Sequence, residues 1–324
     1  MQFLRETNID FMKYRKFWIV VSLALVALGF FMIFAHGRLN VGIDFAGGTQ
    51  ITARFQQRPD IDRLRQIVAA AGVGESQIQR FGDADANEVM IRTPLAPGTE
   101  EGSGPRVLAA LRQEYGEGFQ VLAQENVGPQ VGAELRRKGF QAVGWSLVGM
   151  LAYIWLRFEL RFGVGATMAT LHDVLVTLGL FTLAGFEFNL TTIAAFLTLI
   201  GYSVNDTVVV FDRVRENLRK HPNQAFIKLL NTSINQTLSR TLLTGGTTIM
   251  AGIALMVWGG EVLRGFAFIL TVGVIVGTYS SIYVASPFAL LWERMFGHRA
   301  RAKRPAKGPT PSADRPRQAA SGRR

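Results

Sequence analysis

Six apolar stretches, each close to the length that crosses a bilayer, constrain this chain more than any other feature. A hydrocarbon core of about 30 Å needs about 20 apolar residues in a helix, with a working range of about 17–25. Stretches at Phe17–Ala35, Phe140–Leu156, Phe162–Ala184, Leu190–Phe211, Leu242–Trp258 and Phe266–Leu291 meet that requirement. Composition agrees: 48% of the 324 residues are hydrophobic and only 18% charged, against about 25% charged in an average soluble protein. A cleaved signal sequence is the alternative for the first stretch, since Lys13, Arg15 and Lys16 precede it. Its apolar run is longer than the usual h-region of about 7–15 residues, and no A-x-A site follows. It is therefore expected to stay as an anchor. With no cysteine in the chain, disulfide frameworks, thiolate zinc sites and cysteine nucleophiles are excluded.

Between the first and second spans, residues 36–138 are mostly polar and read as a domain. Ile61, Leu64, Ile67, Val68 and Ala71 recur at helical spacing, as do Val107, Leu108, Leu111 and Tyr115. Gln50–Phe55 and Val89–Ile91 have strand character. Asp60 and Ser103 or Gly104 stand at helix starts. The order strand, helix, strand, strand, helix, strand predicts a ferredoxin-like split β-α-β domain. Residues 93–104, with Pro94, Pro97 and three glycines, read as an exposed loop. The expected fold class is thus an α-helical polytopic membrane protein of six spans with an α+β ferredoxin-like external domain between spans one and two.

The formal net charge of +11 raises nucleic acid as a partner until it is divided by topology. With a cytoplasmic N-terminus, the inside segments 1–16, 157–161, 212–240 and 292–324 hold 22 basic and 7 acidic residues, a net +15. The outside segments 36–138, 185–189 and 259–265 carry −2. By the positive-inside bias, both termini are cytoplasmic and the 36–138 domain faces outward. The organisation expected is a cytoplasmic N-terminus at 1–16, span one at 17–35, the external domain at 36–138, and spans two to six at 139–291 with a cytoplasmic loop at 212–240. A basic, disordered tail follows at 292–324. In the loop, Phe226, Leu229, Leu230, Ile234 and Leu238 share one face, as in a helix lying along the membrane interface. Anionic lipid is the default partner of the tail, with RNA as the other anion it could meet.

Asp173 and Asp206 are the two remaining charges, and both fall within spans. A charge at the bilayer centre costs about 2.5–3.5 kcal/mol on insertion scales, which makes each a functional-site candidate. Asp173 sits beside His172, roughly 16 Å from its helix start, and Asp206 roughly 7.5 Å from the end of its span. Arg240 stands at the head of the next span, where its guanidinium can reach the Asp206 carboxylate, with Asn205, Ser203 and Thr207 nearby. Two readings stay open: a structural ion pair (or an arginine held by headgroups), and a proton-responsive switch whose affinity changes as Arg240 approaches or leaves. His172 and Asp173 are candidates for a relay or for simple support. Gly273-x-x-x-Gly277, with Gly245, Gly246 and Gly252, favours close helix packing, and Pro287 should kink or end the last span.

Four segments, in this order and with six spans, carry a resemblance: Asn8-Ile-Asp-Phe-Met-Lys-Tyr-Arg15, Gly42-Ile-Asp-Phe-Ala-Gly-Gly-Thr49, Gly201-Tyr-Ser-Val-Asn-Asp-Thr-Val-Val-Val-Phe-Asp-Arg-Val-Arg-Glu-Asn217 and Arg240-Thr-Leu-Leu-Thr-Gly-Gly-Thr-Thr248. They make the chain similar to the SecF branch of the SecD/SecF family, within the resistance-nodulation-division superfamily. The resemblance implies a subunit in the bacterial cytoplasmic (inner) membrane that pairs with SecD. It would assist the SecYEG channel and the SecA motor, using the proton motive force to move a translocating polypeptide. It further implies that Asp206 is the proton-carrying aspartate, Arg240 its partner, and Gly47–Gly48 a hinge below the external domain. No hydrolytic activity, catalytic residue, cofactor or metal is implied. Other classes weighed on the sequence are a proton-coupled exporter of small molecules or lipids, disfavoured by the single small insert, and a passive scaffold. An intramembrane aspartyl protease is opposed by the Leu-His and Val-Asn pairs before the two aspartates.

Overall fold

The computed structural model describes residues 7–35, 40–73, 76–81, 86–94 and 102–302. The far tail, 303–324, and part of the loop expected at 93–104 lie outside the described residues. Among the described residues, six helical stretches are long and apolar enough to cross a membrane. They are α1 (Arg15–Ala35), α5 (Pro129–Arg157), α6 (Leu160–Leu183), α7 (Leu190–Lys220), α8 (Phe226–Trp258) and a composite last stretch. The composite joins α9 (Gly260–Ser280), a π-helical segment (Ser281–Ala285) and α10 (Ser286–Ala302). The α-helical ladder is interrupted just before Pro287, whose ring removes an N–H. The chain then continues as helix instead of ending there. Backbone groups inside a bilayer have no water to bond, so helices that satisfy their own are the natural spanning elements.

α6 and α7 form the centre of the bundle, each with 56% of its most apolar window buried, against 11% for α1 and α5 and 17% for α8. Four helix ends depart from the expectation. α5 begins at Pro129, inside the stretch expected to be external domain up to 138, because its first turns pack on Gly47 and Phe45. α10 carries helix to Ala302, into the tail expected to be disordered from 292. α7 runs on to Lys220, and α8 begins at Phe226, so the loop expected at 212–240 shrinks to a connection around His221–Ala225. The residues expected to lie along the interface at 224–238 are largely the first turns of α8. Their apolar face is covered by protein: Leu229, Leu230 and Ile234 are buried, and Leu230 and Ile234 share a core with Phe11, Met12, Phe211 and Val214. The N-terminal motif is stitched to the same turns. Ile9 N donates to Asn235 Oδ1 at 2.9 Å, Asn235 Nδ2 returns to Ile9 O at 2.8 Å, and Met12 N donates to Asn231 Oδ1 at 3.1 Å.

At the other end of the bundle lies a four-stranded sheet of β1 (Gly48–Phe55), β2 (Gln77–Phe81), β3 (Glu88–Thr93) and β4 (Phe119–Val127). Its order is β2-β3-β1-β4, with every neighbouring pair antiparallel. α3 (Ile61–Ala70) and α4 (Gly104–Tyr115) cover one face, where Leu64, Val68, Val107 and Leu111 pack with Ile51, Ala53, Phe55, Val89 and Ile91. Asp60 caps α3 by accepting from Asp62 N at 2.9 Å. Because side chains alternate along a strand, the other face is polar, and registered pairing sets Gln77, Arg92, Gln50 and Glu125 in one row across all four strands.

That row meets the connection between α6 and α7. Arg92 forms an ion pair with Glu187 and donates through Nε to Gln50 Oε1 at 2.7 Å. Gly42 N donates to Phe188 O at 3.0 Å, Phe188 N to Asn40 O at 2.7 Å, and Leu190 N to Asp44 Oδ2 at 3.0 Å. A polar cleft of about 450 Å³ remains between sheet and helix ends, lined in part by Asp44, Gln50, Gln79, Arg92 and Asn189. The glycine pair lies here, after the short helix α2 (Ile43–Ala46). Gly47 (φ 75°) and Gly48 (φ 146°) take backbone conformations that a side chain disfavours. α5 closes over them: a Cβ on Gly132 would stand 3.2 Å from Gly47 N.

Candidate functional site

The polar centre of the bundle is built by four helices, and small residues let them approach. Asp173 on α6 is fully buried. One of its oxygens, Oδ2, accepts from Ser203 Oγ on α7 at 2.6 Å and from Ser280 Oγ on α9 at 2.8 Å. The other, Oδ1, lies 2.9 Å from His172 Nδ1. Gly277 lines the same site, where a Cβ would stand in ordinary contact 3.5 Å from Asp173 Oδ2. Three hydrogen bonds offset part of the cost of burying this carboxylate.

Asp206, on α7, is 7% exposed and less well compensated. Thr241 Oγ1 on α8 donates to its Oδ1 at 2.7 Å, while Oδ2 is buried and meets no donor in hydrogen-bonding geometry among the described residues. The Ser281 hydroxyl lies close enough to act on this carboxylate but donates to Thr278 O. An unpartnered buried acceptor costs about 1–3 kcal/mol, and more when charged. This oxygen is therefore the place where a proton or an approaching cation gains most.

Of the residues named from sequence, the structure brings His172 and Asp173 together and sets Asp206 near them. Ser203, which holds Asp173, is three residues from Asp206 on the same face, a rise of about 4.5 Å. The depth difference expected between the two aspartates was about twice that. It shrinks because α7 continues past Phe211, so the end of the apolar run is not the end of the helix. Arg240 is exposed, and no ion pair joins it to Asp206 among the described residues; its neighbour Thr241 takes the contact instead. Asn205 is exposed too and makes no side-chain hydrogen bond among the described residues. The carboxylates of Asp173 and Asp206 have separate donors and no hydrogen bond between them, which is not the arrangement of a proton-sharing pair that activates water.

Sequence reasoning missed Thr241, Ser280, Tyr279 and Ser22. Tyr279 OH lies 2.7 Å from His172 Nε2 and 3.2 Å from Ser22 Oγ on α1. Hydroxyls in apolar helices carry little signal on their own, because serine and threonine are common wherever such helices pack closely.

Comparison with known proteins agrees with this architecture. Residues 107–295 match the family described as Protein export membrane protein SecD/SecF, C-terminal, and residues 33–57 match the SecD/SecF GG Motif. The protein translocase subunit SecF of Desulfurispirillum indicum is 47% identical over 296 residues, covering 89% of this chain and 93% of the relative. That of Calditerrivibrio nitroreducens is 43% identical, covering 88% and 94%. Among solved structures, the translocon-associated membrane protein SecDF from Thermus thermophilus superposes with a TM-score of 0.79 at 38% identity over 89% of this chain. A SecDF structure in its super-membrane-facing form gives 0.69 at 37% identity over 94%. The chain spans about two-fifths of the SecDF chains, 39% and 41% of their length.

Proposed function

The chain belongs to the SecD/SecF family as a multi-pass SecF-type subunit accessory to the Sec translocase, and from that premise we propose that it couples the proton motive force to polypeptide movement through Asp206. The observation that carries this is the buried Asp206 Oδ2, which meets no donor in hydrogen-bonding geometry among the described residues, with an exposed Arg240 near enough for its charge to be felt there. A proton arriving from the outer side neutralises the carboxylate and removes the penalty of the open oxygen. In the charged state Arg240 swings in to serve it. Alternation between the two shifts α7 against α8.

In this reading the sheet domain is a ferredoxin-like periplasmic domain, both termini are cytoplasmic, and the membrane is the bacterial inner membrane, as the positive-inside bias supports. Motion reaches that domain through α1 and the Gly47–Gly48 turn. The outer domain holds the translocating polypeptide transiently, SecD completes the membrane unit, and SecYEG with SecA delivers the chain. The subunit performs no hydrolysis of its own. Each proton crossing 100 mV supplies about 2.3 kcal/mol, enough for a few protons to bias an ordinary conformational equilibrium.

The test is polypeptide export into vesicles carrying the chain with SecD, with and without an imposed proton gradient. Asp206→Asn should assemble normally and lose the gradient-driven part of export. Export by Asp206→Asn that still responds fully to the gradient overturns the assignment.

A further inference from the structure

α1 leads from the N-terminal motif toward the sheet domain, and its buried polar side chain is Ser22. From Ser22 a continuous run of hydrogen-bonding groups crosses the bundle. Ser22 Oγ lies 3.2 Å from Tyr279 OH, Tyr279 OH 2.7 Å from His172 Nε2, and His172 Nδ1 2.9 Å from Asp173 Oδ1. Asp173 Oδ2 then accepts from Ser203 on α7. Four helices, α1, α9, α6 and α7, are joined by one chain.

The donor directions in this chain are interdependent. With Asp173 ionised and His172 neutral, Nδ1–H donates to the carboxylate and Nε2 has only a lone pair, so Tyr279 must donate to His172 and accept from Ser22. When His172 takes up a second proton, Nε2–H becomes a donor. Tyr279 must then accept from it, and the tyrosine's own proton turns toward Ser22. One proton gained at Nε2 therefore reverses the hydrogen bond that reaches α1. Tyr279, with a single proton and two neighbours, is where the reversal is handed on.

We propose that Tyr279 is a positioning residue that ties the protonation state of the His172–Asp173 pair to the placement of α1, the helix that leads to the sheet domain. The inference rests on the proton-coupled reading above and extends it to a route. Packing supports the route at three points. Gly29 on α1 and Gly179 on α6 meet backbone to backbone, and a Cβ on Gly179 would collide with Gly29 Cα. Trp18 on α1 stacks on Tyr283 with ring centroids 4.9 Å apart and leans on Tyr279 at 5.7 Å. The π-helical segment begins at Ser281, directly after Tyr279 and Ser280, and such segments recur where a helix changes register at functional sites. The other titratable groups around the chain are Asp206 on α7 and Tyr283 in the π-helical segment. α1 offers Ser22 and Trp18, neither of which titrates near neutrality.

Because the chain has no cysteine, spin labels on Val20→Cys and Ile275→Cys, both exposed and attached before SecD is added, report the α1–α9 distance with no other label on this chain. The measurement uses the full chain with SecD in proteoliposomes, in mildly alkaline and mildly acidic buffer, alongside gradient-driven export. The parent should show a pH-dependent distance shift. Tyr279→Phe keeps the ring but removes both hydrogen bonds, and should abolish the shift and lower gradient-driven export by about tenfold, the scale of two modest hydrogen bonds lost from an equilibrium. Ser22→Ala, a milder change that spares the His172–Tyr279 bond, should abolish the shift as well. A parent distance that ignores pH, or a shift retained in full by both variants, overturns the assignment of Tyr279. If export is lost in Asp206→Asn while both variants behave like the parent, the proton-coupled reading stands and this route falls. Export that is unaffected in Asp206→Asn overturns that reading instead.

Discussion

Thr241 Oγ1 donates to Asp206 Oδ1 at 2.7 Å, and it does so from the residue next to Arg240, the side chain whose charge would suit the contact better. The hydroxyl is thus the group that holds the carboxylate in this conformation. Thr241→Val keeps the shape and removes the donor to Oδ1, leaving the Ser281 hydroxyl as the nearby group able to turn toward the carboxylate. It should destabilise the subunit by about 1–3 kcal/mol, read as a lower thermal midpoint in detergent. Thr241→Ser retains the hydroxyl and should stay close to the parent.

Arg240 is exposed and outside any ion pair among the described residues, so the fold does not lean on its charge. Arg240→Gln should alter stability by no more than about 0.5 kcal/mol, the usual scale for a surface change, yet remove gradient-driven export. Paired melting and export measurements on the same preparation check this. A large loss of stability would place the Asp206–Arg240 pair in the resting state after all.

Docking of the sheet domain gives a pH prediction with a definite sign. Burial pushes the Glu187 carboxyl above the usual range, and Arg92 opposes that only in part. A carboxyl whose value is raised in the docked state binds its proton more tightly there than when released. Its contribution to docking is therefore fully present below the ordinary glutamate range and is lost as pH rises through the raised value. Acidification should tighten the contact. Amide exchange at Phe188 and Leu190, corrected for intrinsic rates, should slow as pH falls.

The same pair is asymmetric to mutation. Glu187→Gln keeps an acceptor for Arg92 and removes the charge that burial penalises, so docking should hold. Arg92→Leu leaves Glu187, whose side chain is 13% exposed, without its cation and should weaken docking by about 1–3 kcal/mol. Protease sensitivity around residues 185–190 reports both variants.

At the crossing of α1 and α6 there is no room for a methyl group. Gly179→Ala places a carbon against Gly29 Cα, and neither backbone can turn aside as a flexible side chain would. Overpacking of this kind costs about 1–3 kcal/mol. The variant should melt earlier, and the distance between labels on α1 and α6 should widen.

Much of the architecture was legible because the forces that set it are local. A bilayer core demands about 20 apolar residues of helix, and six stretches supplied them. Alternation and helical spacing in 36–138 read out the two strand runs and the helices that cover them, since each element's buried face is written in its own period. Asp173 and Asp206 were legible for the opposite reason, as charges where none is cheap.

What only the tertiary structure decided is how far helices run beyond the membrane and which side chain meets which. α7 reaches Lys220 and α8 begins at Phe226 because Leu230 and Ile234 are covered by Phe11, Met12 and their neighbours and Leu229 is buried beside them in sequence, not because the local sequence is apolar enough to span. Thr241 in place of Arg240 at Asp206, and the run from Ser22 through Tyr279 to Asp173, join residues 35 and 257 positions apart at their first links. Such contacts depend on the crossing of separate helices at glycines and on a π-helical shift in register. The chain alone states which residues are costly to bury; the packing of the bundle determines what they find when they are buried.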